Sequence, residues 1–573
     1  MARMAMTRDL RRLAGGGFDL IVVGGGITGA FAAWDAALRG LAVALIERRD
    51  FGGATSAASS KLIHGGIRYL QKGEIGKVRE SLVERGILMR IAPHLIYRLP
   101  FLIPTYGHGM RGQEVLAAAM AVYEAIGIGL NAQMRDPEQR IPRFTLLSRA
   151  EALALEPGIA TGGLTGGVRY DECHMHSSER MTLAVVKAAA AAGAVVANYV
   201  EATGFLRTGP RVIGVTARDA LAAGAGPGDE ATGAGDLEVH GRLVANMTGP
   251  WAPLLARGLG HPAGERYGLS KGCHIITRPL TRSGALAIAT AHKREGLSRG
   301  GRHFFILPWR GRSLIGTTNV PYSGDPAAVG ATAEDIADFV AEIDAAYPAA
   351  GLVPAHVEHA IAGLYPLIDT DVRADVYQGA SKVEIHDHQK DGIEGLLTVI
   401  GAKYTTARSL AAQAIDRAFR KLGRTPPPSR TAETPVAGGR IERVRAALAE
   451  AVRRDAAGPG LGAEVARELV QSYGADYPDV LALVEHDRDD GRRVAPARPT
   501  IRAMVRYAAR EEMALRLADV VLRRTGLGTI GHPGEDCLRE CAAIMAAELG
   551  WDARRVEAEI AAARTLFPIR SAG

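Results

Sequence analysis

The residues best suited to chemistry begin with Gly24-Gly25-Gly26-Ile27-Thr28-Gly29, a G-x-G-x-x-G spacing in which each spaced glycine has its own task. Gly24 makes a tight turn, Gly26 lets the backbone approach a pyrophosphate, and Gly29 lets a helix pack close to a strand. Amides at the start of that helix, at Ile27 and Thr28, face a phosphate with partial positive charge. Glu47, 18 residues beyond Gly29, places a carboxylate where it accepts hydrogen bonds from both ribose hydroxyls of an adenosine. The pattern points to a bound dinucleotide. By itself it does not separate FAD from NAD.

Those residues need a strand, a turn, a helix and a strand, and the flanking sequence supplies them. Phe18-Asp19-Leu20-Ile21-Val22-Val23 and Leu41-Ala42-Val43-Ala44-Leu45-Ile46 are short apolar runs, and the Ala-rich stretch between them ends on Gly40, a residue suited to a left-handed cap. The segment after Glu47 is rich in small residues and hydroxyls. Thr55, Ser56, Ser59 and Ser60 can donate hydrogen bonds while the chain wraps a phosphate and a planar ring; an ordinary Ser/Gly loop is the alternative reading. Periodicity predicts helices over 79–91 and 181–192 and a buried helix at 115–122. Residues 243–247 read as a strand running into a turn at Gly249, which admits the dinucleotide from a second side. Strands at 274–278, 303–308 and 313–317 suggest a second sheet, interleaved with the first domain and facing the substrate. Residues 396–400 then return as a buried strand into Lys403-Tyr404-Thr405, followed by a helix over 407–422.

A chain of 573 residues exceeds one ordinary hydrophobic core. The expected organisation is a basic lead-in over 1–17, flexible or loosely helical, then a cofactor domain with its interleaved substrate domain over 18–423. A Pro/Gly-rich linker over 424–440 and a helical domain over 441–573 complete it, with helices at 441–453, 463–472, 499–522 and 533–549. Residues 220–236, rich in Gly, Ala and Asp, read as a hairpin insertion. No run reaches the roughly 18 apolar residues of a membrane span. Four cysteines are no disulfide framework and fit a reduced, cytoplasmic setting. Cys537 and Cys541 share a helix face without a second ligand pair, so no metal site is expected. A net charge of +7 fits an anionic surface or substrate as readily as a generally Arg-rich composition.

With these motifs assembled, the stretch from Asp19 through Glu47 and on through Ala54-Thr55-Ser56-Ala57-Ala58-Ser59-Ser60-Lys61-Leu62-Ile63-His64-Gly65-Gly66-Ile67-Arg68-Tyr69-Leu70 resembles the FAD-dependent glycerol-3-phosphate dehydrogenases. Lys271-Gly272-Cys273-His274, Ile315-Gly316-Thr317-Thr318 and Lys403-Tyr404-Thr405-Thr406 with Arg408 extend the match, as does 516–525. The resemblance implies an α/β flavoprotein of the D-amino-acid-oxidase-like class: a Rossmann-type FAD-binding domain, an interleaved mixed or antiparallel substrate sheet, and an all-α C-terminal domain. It also implies that FAD is the cofactor, with Lys61, His64, Gly65, Gly66, Lys403, Tyr404 and Thr405 around it. A hydride passes from the carbinol carbon of glycerol 3-phosphate to flavin N5, giving dihydroxyacetone phosphate, and a quinone takes the electrons. Arg68, Tyr69 and Lys403 match positions at the substrate pocket. His274 is a proton acceptor, with a satisfied structural histidine as the alternative. The implied setting is cytoplasmic, peripheral on the inner membrane face, with a homodimer as the assembly and no nucleic-acid partner.

The chain departs from the family pattern at Tyr365 and Gly379, where arginines are usual, and at Ala402, Ala407 and Ser177-Ser178-Glu179-Arg180. Losing one bidentate arginine contact to phosphate costs about 1.5 to 3 kcal/mol. Lys382 or Tyr365 would then have to compensate. A different substrate on the same fold (an uncharged polyol, a hydroxy acid or an amine) is a second expectation, and a flavin-binding scaffold without catalysis is a third.

Overall fold

The computed structural model describes residues 6–109, 112–222, 235–257, 267–289, 303–367 and 383–567. Most of the 220–236 insertion, and Gly379 and Lys382, lie outside the described residues.

Leu20–Val23 (β1) has all four side chains buried, as a strand covered on both faces requires. The chain then turns at Gly24, with φ +108°, into the helix Ile27–Leu38 (α1). A Cβ at Gly29 would lie 1.9 Å from the Gly24 carbonyl oxygen, so only glycine lets α1 approach the turn this closely. Gly40, at φ +85°, closes the helix and leads to Val43–Ile46 (β2), parallel to β1. Ser178–Ala191 (α2) crosses over to Val195–Ala197 (β3), and Val244–Asn246 (β4) adds to the other side of β1. Glu384–Asp387 (β5) and Leu396–Ile400 (β6) complete a six-stranded sheet in the order β5-β6-β4-β1-β2-β3, antiparallel only at β5. The helix Ala407–Lys421 (α3) packs with α2 against α1, enclosing Phe31 and Trp34 at 1% exposure each. Truncating either aromatic would cost about 3 to 5 kcal/mol.

The excursions between these strands build a second, ten-stranded sheet. Ile96–Tyr106 pairs antiparallel with Leu164–Met175, and Gly268–Thr277 with both Arg312–Gly316 and Val357–Leu367; Ala285–Ala289 joins the halves by a parallel pairing to Ile96–Tyr106. It is a mixed sheet interleaved with the nucleotide-binding one. Gly17–Phe18, Asp236–Gly241, Arg211–Asp219 and Val200–Thr208 form a third.

The C-terminal part is helical, with Val444–Ala457, Ala463–Tyr473, Tyr477–His486, Arg502–Glu511, Glu535–Leu549 and Ala553–Arg564. Several expectations need correction. The single helix expected over 499–522 breaks after Glu511: Met513 takes φ +54°, and a short turn and a π-helical turn follow. The break is set by charge, because buried Glu512 accepts from Arg180 at 2.6 Å and Lys187 at 3.0 Å, while Asp519 accepts the amides of Leu515 and Arg516 at 2.9 Å. The helix carrying residues 115–122 exists, but it buries only Met120 and Tyr123, with Val115 and Val122 exposed. The basic lead-in is docked: Asp9 caps the helix Leu10–Gly15, Leu13 is fully buried, and Arg8 pairs with Asp219. The 424–440 stretch is likewise tied down along its length. Ser429 donates to Asp35 at 2.5 Å, Arg408 donates to the buried Thr431 at 3.1 Å, and the Val436 amide donates to the Ile91 carbonyl at 3.0 Å. No described helix is long and apolar enough to cross a membrane.

Candidate active site

A cavity of about 840 Å³ lies between the C-terminal ends of the nucleotide-sheet strands and the large mixed sheet. Gly24, Gly26, Ile27, Thr28, Glu47 and Gly249 line one end. A Cβ at Gly24 would meet the Met247 carbonyl oxygen at 2.6 Å, so the turn is built for glycine twice over, by conformation and by space. Glu47 accepts the Gly25 amide at 2.7 Å and the Arg49 amide at 3.0 Å, which orients the carboxylate and leaves lone pairs for hydroxyl donors. Burial raises its pKa, and those two amides oppose the rise. Arg48 lies over the Trp251 ring at 5.2 Å.

Within the chain, the hydroxyls of the 55–60 wrap make bonds of their own. Thr55 Oγ1 donates to the Leu364 carbonyl at 2.5 Å, Ser56 Oγ accepts the Ile27 amide at 3.0 Å, and Ser59 Oγ accepts the Lys61 amide at 3.2 Å. These bonds pin the wrap to α1 and to Val357–Leu367, and Thr55, Ser56, Ser59 and Ser60 still line the cavity. Three residues expected at the cofactor are not on the wall. Gly29 sits behind it, where α1 meets the turn. Lys61 is fully buried and points away, donating to Glu179 at 2.7 Å and Ser178 at 3.0 Å. Gly65 is a packing position, since a Cβ there would lie 1.9 Å from Tyr123 Oη, and its amide donates to Glu172 at 3.0 Å.

Arg68, Tyr69, His64, Gly66, His274, Lys403, Tyr404 and Thr405 also line the cavity, with His64 in the field of Arg68 and Lys403. Lys403 Nζ is 4.6 Å from the Tyr69 ring centroid and donates to Ser81 at 2.5 Å; burial lowers its pKa to about 8. Arg68 lies over Phe305 at 5.6 Å. Burial first, then the charges of Lys403 and Arg68, push His64 well below the usual histidine range. His274 is pushed to about 3 by burial, with Lys61 adding to the shift, so its imidazole is neutral at physiological pH. Its Nε2 contacts Ser60 Oγ at 2.8 Å. Sequence reasoning missed Tyr170, Glu172, Phe305 and Asn319, which also line the cavity. Asn319 directly follows the 315–318 match, so its place in the chain was a usable signal; the other three sit in ordinary strand patterns. Tyr365 reaches the cavity, but its hydroxyl donates to Asn319 at 2.6 Å.

The fit to FAD rests on three observations. The turn accepts only glycine where a pyrophosphate needs close approach, one cavity holds the glycine cradle together with Arg68 and Lys403, and Trp251, on its wall, keeps a buried Nε1–H without a protein partner among the described residues. The residues present fit FAD.

Residues 19–408 match the family of FAD dependent oxidoreductases, and 429–556 match the C-terminal domain of alpha-glycerophosphate oxidase. The chain is 33% identical to a glycerol-3-phosphate dehydrogenase of Synechocystis over 96% of this chain and 97% of that one. It is 35% identical to one from Mycobacterium leprae over 95% and 87%, respectively. The glycerol-3-phosphate dehydrogenase of Bacillus halodurans, solved with FAD, superposes with a TM-score of 0.74 at 26% identity, covering 97% of this chain and 95% of that one. With the glycine cradle, the cationic end and both family matches running through one chain, it belongs to the FAD-dependent glycerol-3-phosphate dehydrogenase family.

Proposed function

We propose that this chain oxidises the secondary alcohol of sn-glycerol 3-phosphate, or of a closely related polyol phosphate, to the ketone. The observation that supports the reading is that Arg68, Lys403 and a neutral His274 line the same cavity as the glycine cradle. Arg68 and Lys403 hold the phosphate through charge-assisted hydrogen bonds. His274, neutral and on the cavity wall, takes the hydroxyl proton. Tyr69 orients the Lys403 ammonium through its ring face. Bound FAD supplies the two-electron acceptor for the hydride. Adding glycerol 3-phosphate anaerobically should bleach the flavin absorbance; a spectrum left oxidised would sink the reading.

A second reading is favoured by one contact. Tyr365 stands where the family usually has an arginine, and its hydroxyl is committed to Asn319. That neutral pair suits a less charged substrate, such as a free polyol, a hydroxy acid or an amine. A panel spanning these classes, scored by the rate of flavin reduction, separates the readings.

The remaining proposals concern context. Electrons leave to a quinone, and the protein attaches peripherally to the inner face of the cytoplasmic membrane, supported by its +7 net charge. The assembly is a homodimer, and the chain divides at the 424–440 connector. Flotation with anionic vesicles, sedimentation velocity and limited proteolysis test these in turn.

A further inference from the structure

The sheet edge at β5 carries a cluster unrelated to the cavity. β5 ends in His386 and Asp387, and the 3-10 turn His388–Asp391 folds back before Gly392, at φ +76°, returns the chain to β6. This reversal brings His386, His388 and Asp391 together, with one potential ligand atom from each within 4.8 Å of the others. Asp391 Oδ2 sits 2.5 Å from His386 Nε2 and 3.0 Å from His388 Nδ1, and the two rings stand edge to face at 4.6 Å. The imidazole side chains are 9% and 1% exposed and the carboxylate 11%.

The outward nitrogens decide what the inward ones can do. His386 Nδ1 faces Glu384 Oε1 at 3.4 Å, and Glu384 in turn accepts from Tyr267 at 3.0 Å. His388 Nε2 lies 2.8 Å from Thr398 Oγ1 on β6. Histidines that bind metals characteristically give their second ring N–H to such an acceptor, which fixes the tautomer and turns the other lone pair inward. Here Glu384 and Thr398 stand where such outer acceptors belong. Without a cation the inward His386 nitrogen is hydrogen-bonded to Asp391; with the ring protons turned outward, both inward lone pairs and the Asp391 carboxylate converge on one point. In tetrahedral zinc sites, donors about 2 Å from the ion are separated by about 3.3 Å; the 3.0 Å between His388 Nδ1 and Asp391 Oδ2 is close to that, and the hydrogen-bonded 2.5 Å at His386 opens by a side-chain adjustment when an ion enters. Two imidazoles and a carboxylate are the donor set of zinc and its first-row neighbours, whereas calcium and magnesium take oxygen ligands.

We propose that His386, His388 and Asp391 form a site for one divalent first-row transition-metal cation such as Zn2+, with a solvent molecule as the remaining ligand. The ion clips β5 and its turn to β6, the strand that continues into Gly401 to Thr405 of the cavity wall. The FAD-loaded full chain, stripped with a chelator and titrated with Zn2+ alone, should bind one ion by calorimetry and elemental analysis. His388→Gln and Asp391→Asn should abolish stoichiometric binding. Thr398→Val, which removes only the outer partner, should weaken it about ten- to a hundred-fold. Co2+ in the wild-type chain should give d–d bands without thiolate charge transfer, a readout that needs no variant to fold. No saturable Zn2+ binding would overturn the site. So would binding unchanged in both ligand variants, or a Co2+–thiolate band placing the ion on Cys537 and Cys541.

Discussion

The two ends of the cavity are made of different material. At the dinucleotide end the contacts are backbone: a turn that accepts only glycine at position 24, the start of α1 with its Ile27 amide held by Ser56, and a carboxylate held by the Gly25 and Arg49 amides. Nearly all of it comes from one continuous stretch. At the substrate end the contacts are side chains, delivered by the 60–69 segment and by strands carrying Tyr170, His274, Phe305 and Tyr365, with Lys403 following β6. A backbone-built site tolerates no change in shape and little in sequence. A side-chain-built site keeps its shape while its chemistry is retuned, one residue at a time.

The largest effect should come from breaking the first kind of site. Gly29→Val puts a Cβ 1.9 Å from a backbone oxygen with no flexible neighbour to give way. Overpacking alone costs about 1 to 3 kcal/mol, and the displaced turn adds the loss of its ligand. Purified Gly29→Val should carry no stoichiometric FAD by absorbance. Retention of wild-type flavin content would mean that the close approach of α1 is dispensable. At the substrate end, His274→Asn should leave FAD content intact and lower kcat by about 10² to 10⁴-fold, the usual share of a general base. An unchanged kcat would reduce His274 to a packing residue beneath Gly316, whose added Cβ would meet the ring at 2.0 Å.

A smaller loss is expected from Arg68→Ala. Removing one charge-assisted phosphate contact should raise KM for a phosphate substrate about ten- to a hundred-fold, with little change toward an uncharged polyol. Equal losses on both substrates would mean that Arg68 shapes the pocket without reading the phosphate, and would strengthen the second reading drawn from Tyr365.

The same contrast explains what was legible in the sequence. The glycine cradle, Glu47 and the strand-helix-strand around them follow from short-range rules, so spacing alone placed them. The cationic end came from the family resemblance, because nothing local to Arg68 or Lys403 says that they meet across 335 positions of chain. Phe305 and Glu172 reach the cavity through long-range antiparallel pairing, which local periodicity does not encode. Lys61 misled for a related reason: its partner, Glu179, lies on α2, and the ion pair turns the ammonium away from the wrap. The helix break at Glu512 carries no Gly or Pro, since buried Arg180 and half-buried Lys187 set it from another domain. His386, His388 and Asp391 were visible as H-x-H-x-x-D, yet on a short polar turn that spacing is unremarkable until Glu384 and Thr398 are seen behind the rings.

The finest test of the comparison is the protonation of Lys403. Burial lowers its pKa to about 8, so in the free enzyme the ammonium is mostly charged at pH 7 and mostly neutral at pH 9. If Lys403 acts as the phosphate's cation, kcat/KM should be flat below about pH 7 and fall about tenfold between pH 7 and 9, because kcat/KM reports the free enzyme. If it were instead the base, the neutral amine would be the active form and the profile would rise over the same interval. Lys403→Arg then separates charge from titration. A guanidinium stays protonated across this range, so a cationic role predicts that the alkaline fall disappears while turnover on phosphate substrates survives. The glycine cradle has no such handle, because its contacts are backbone amides that do not titrate, and FAD content should be the same at both pH values.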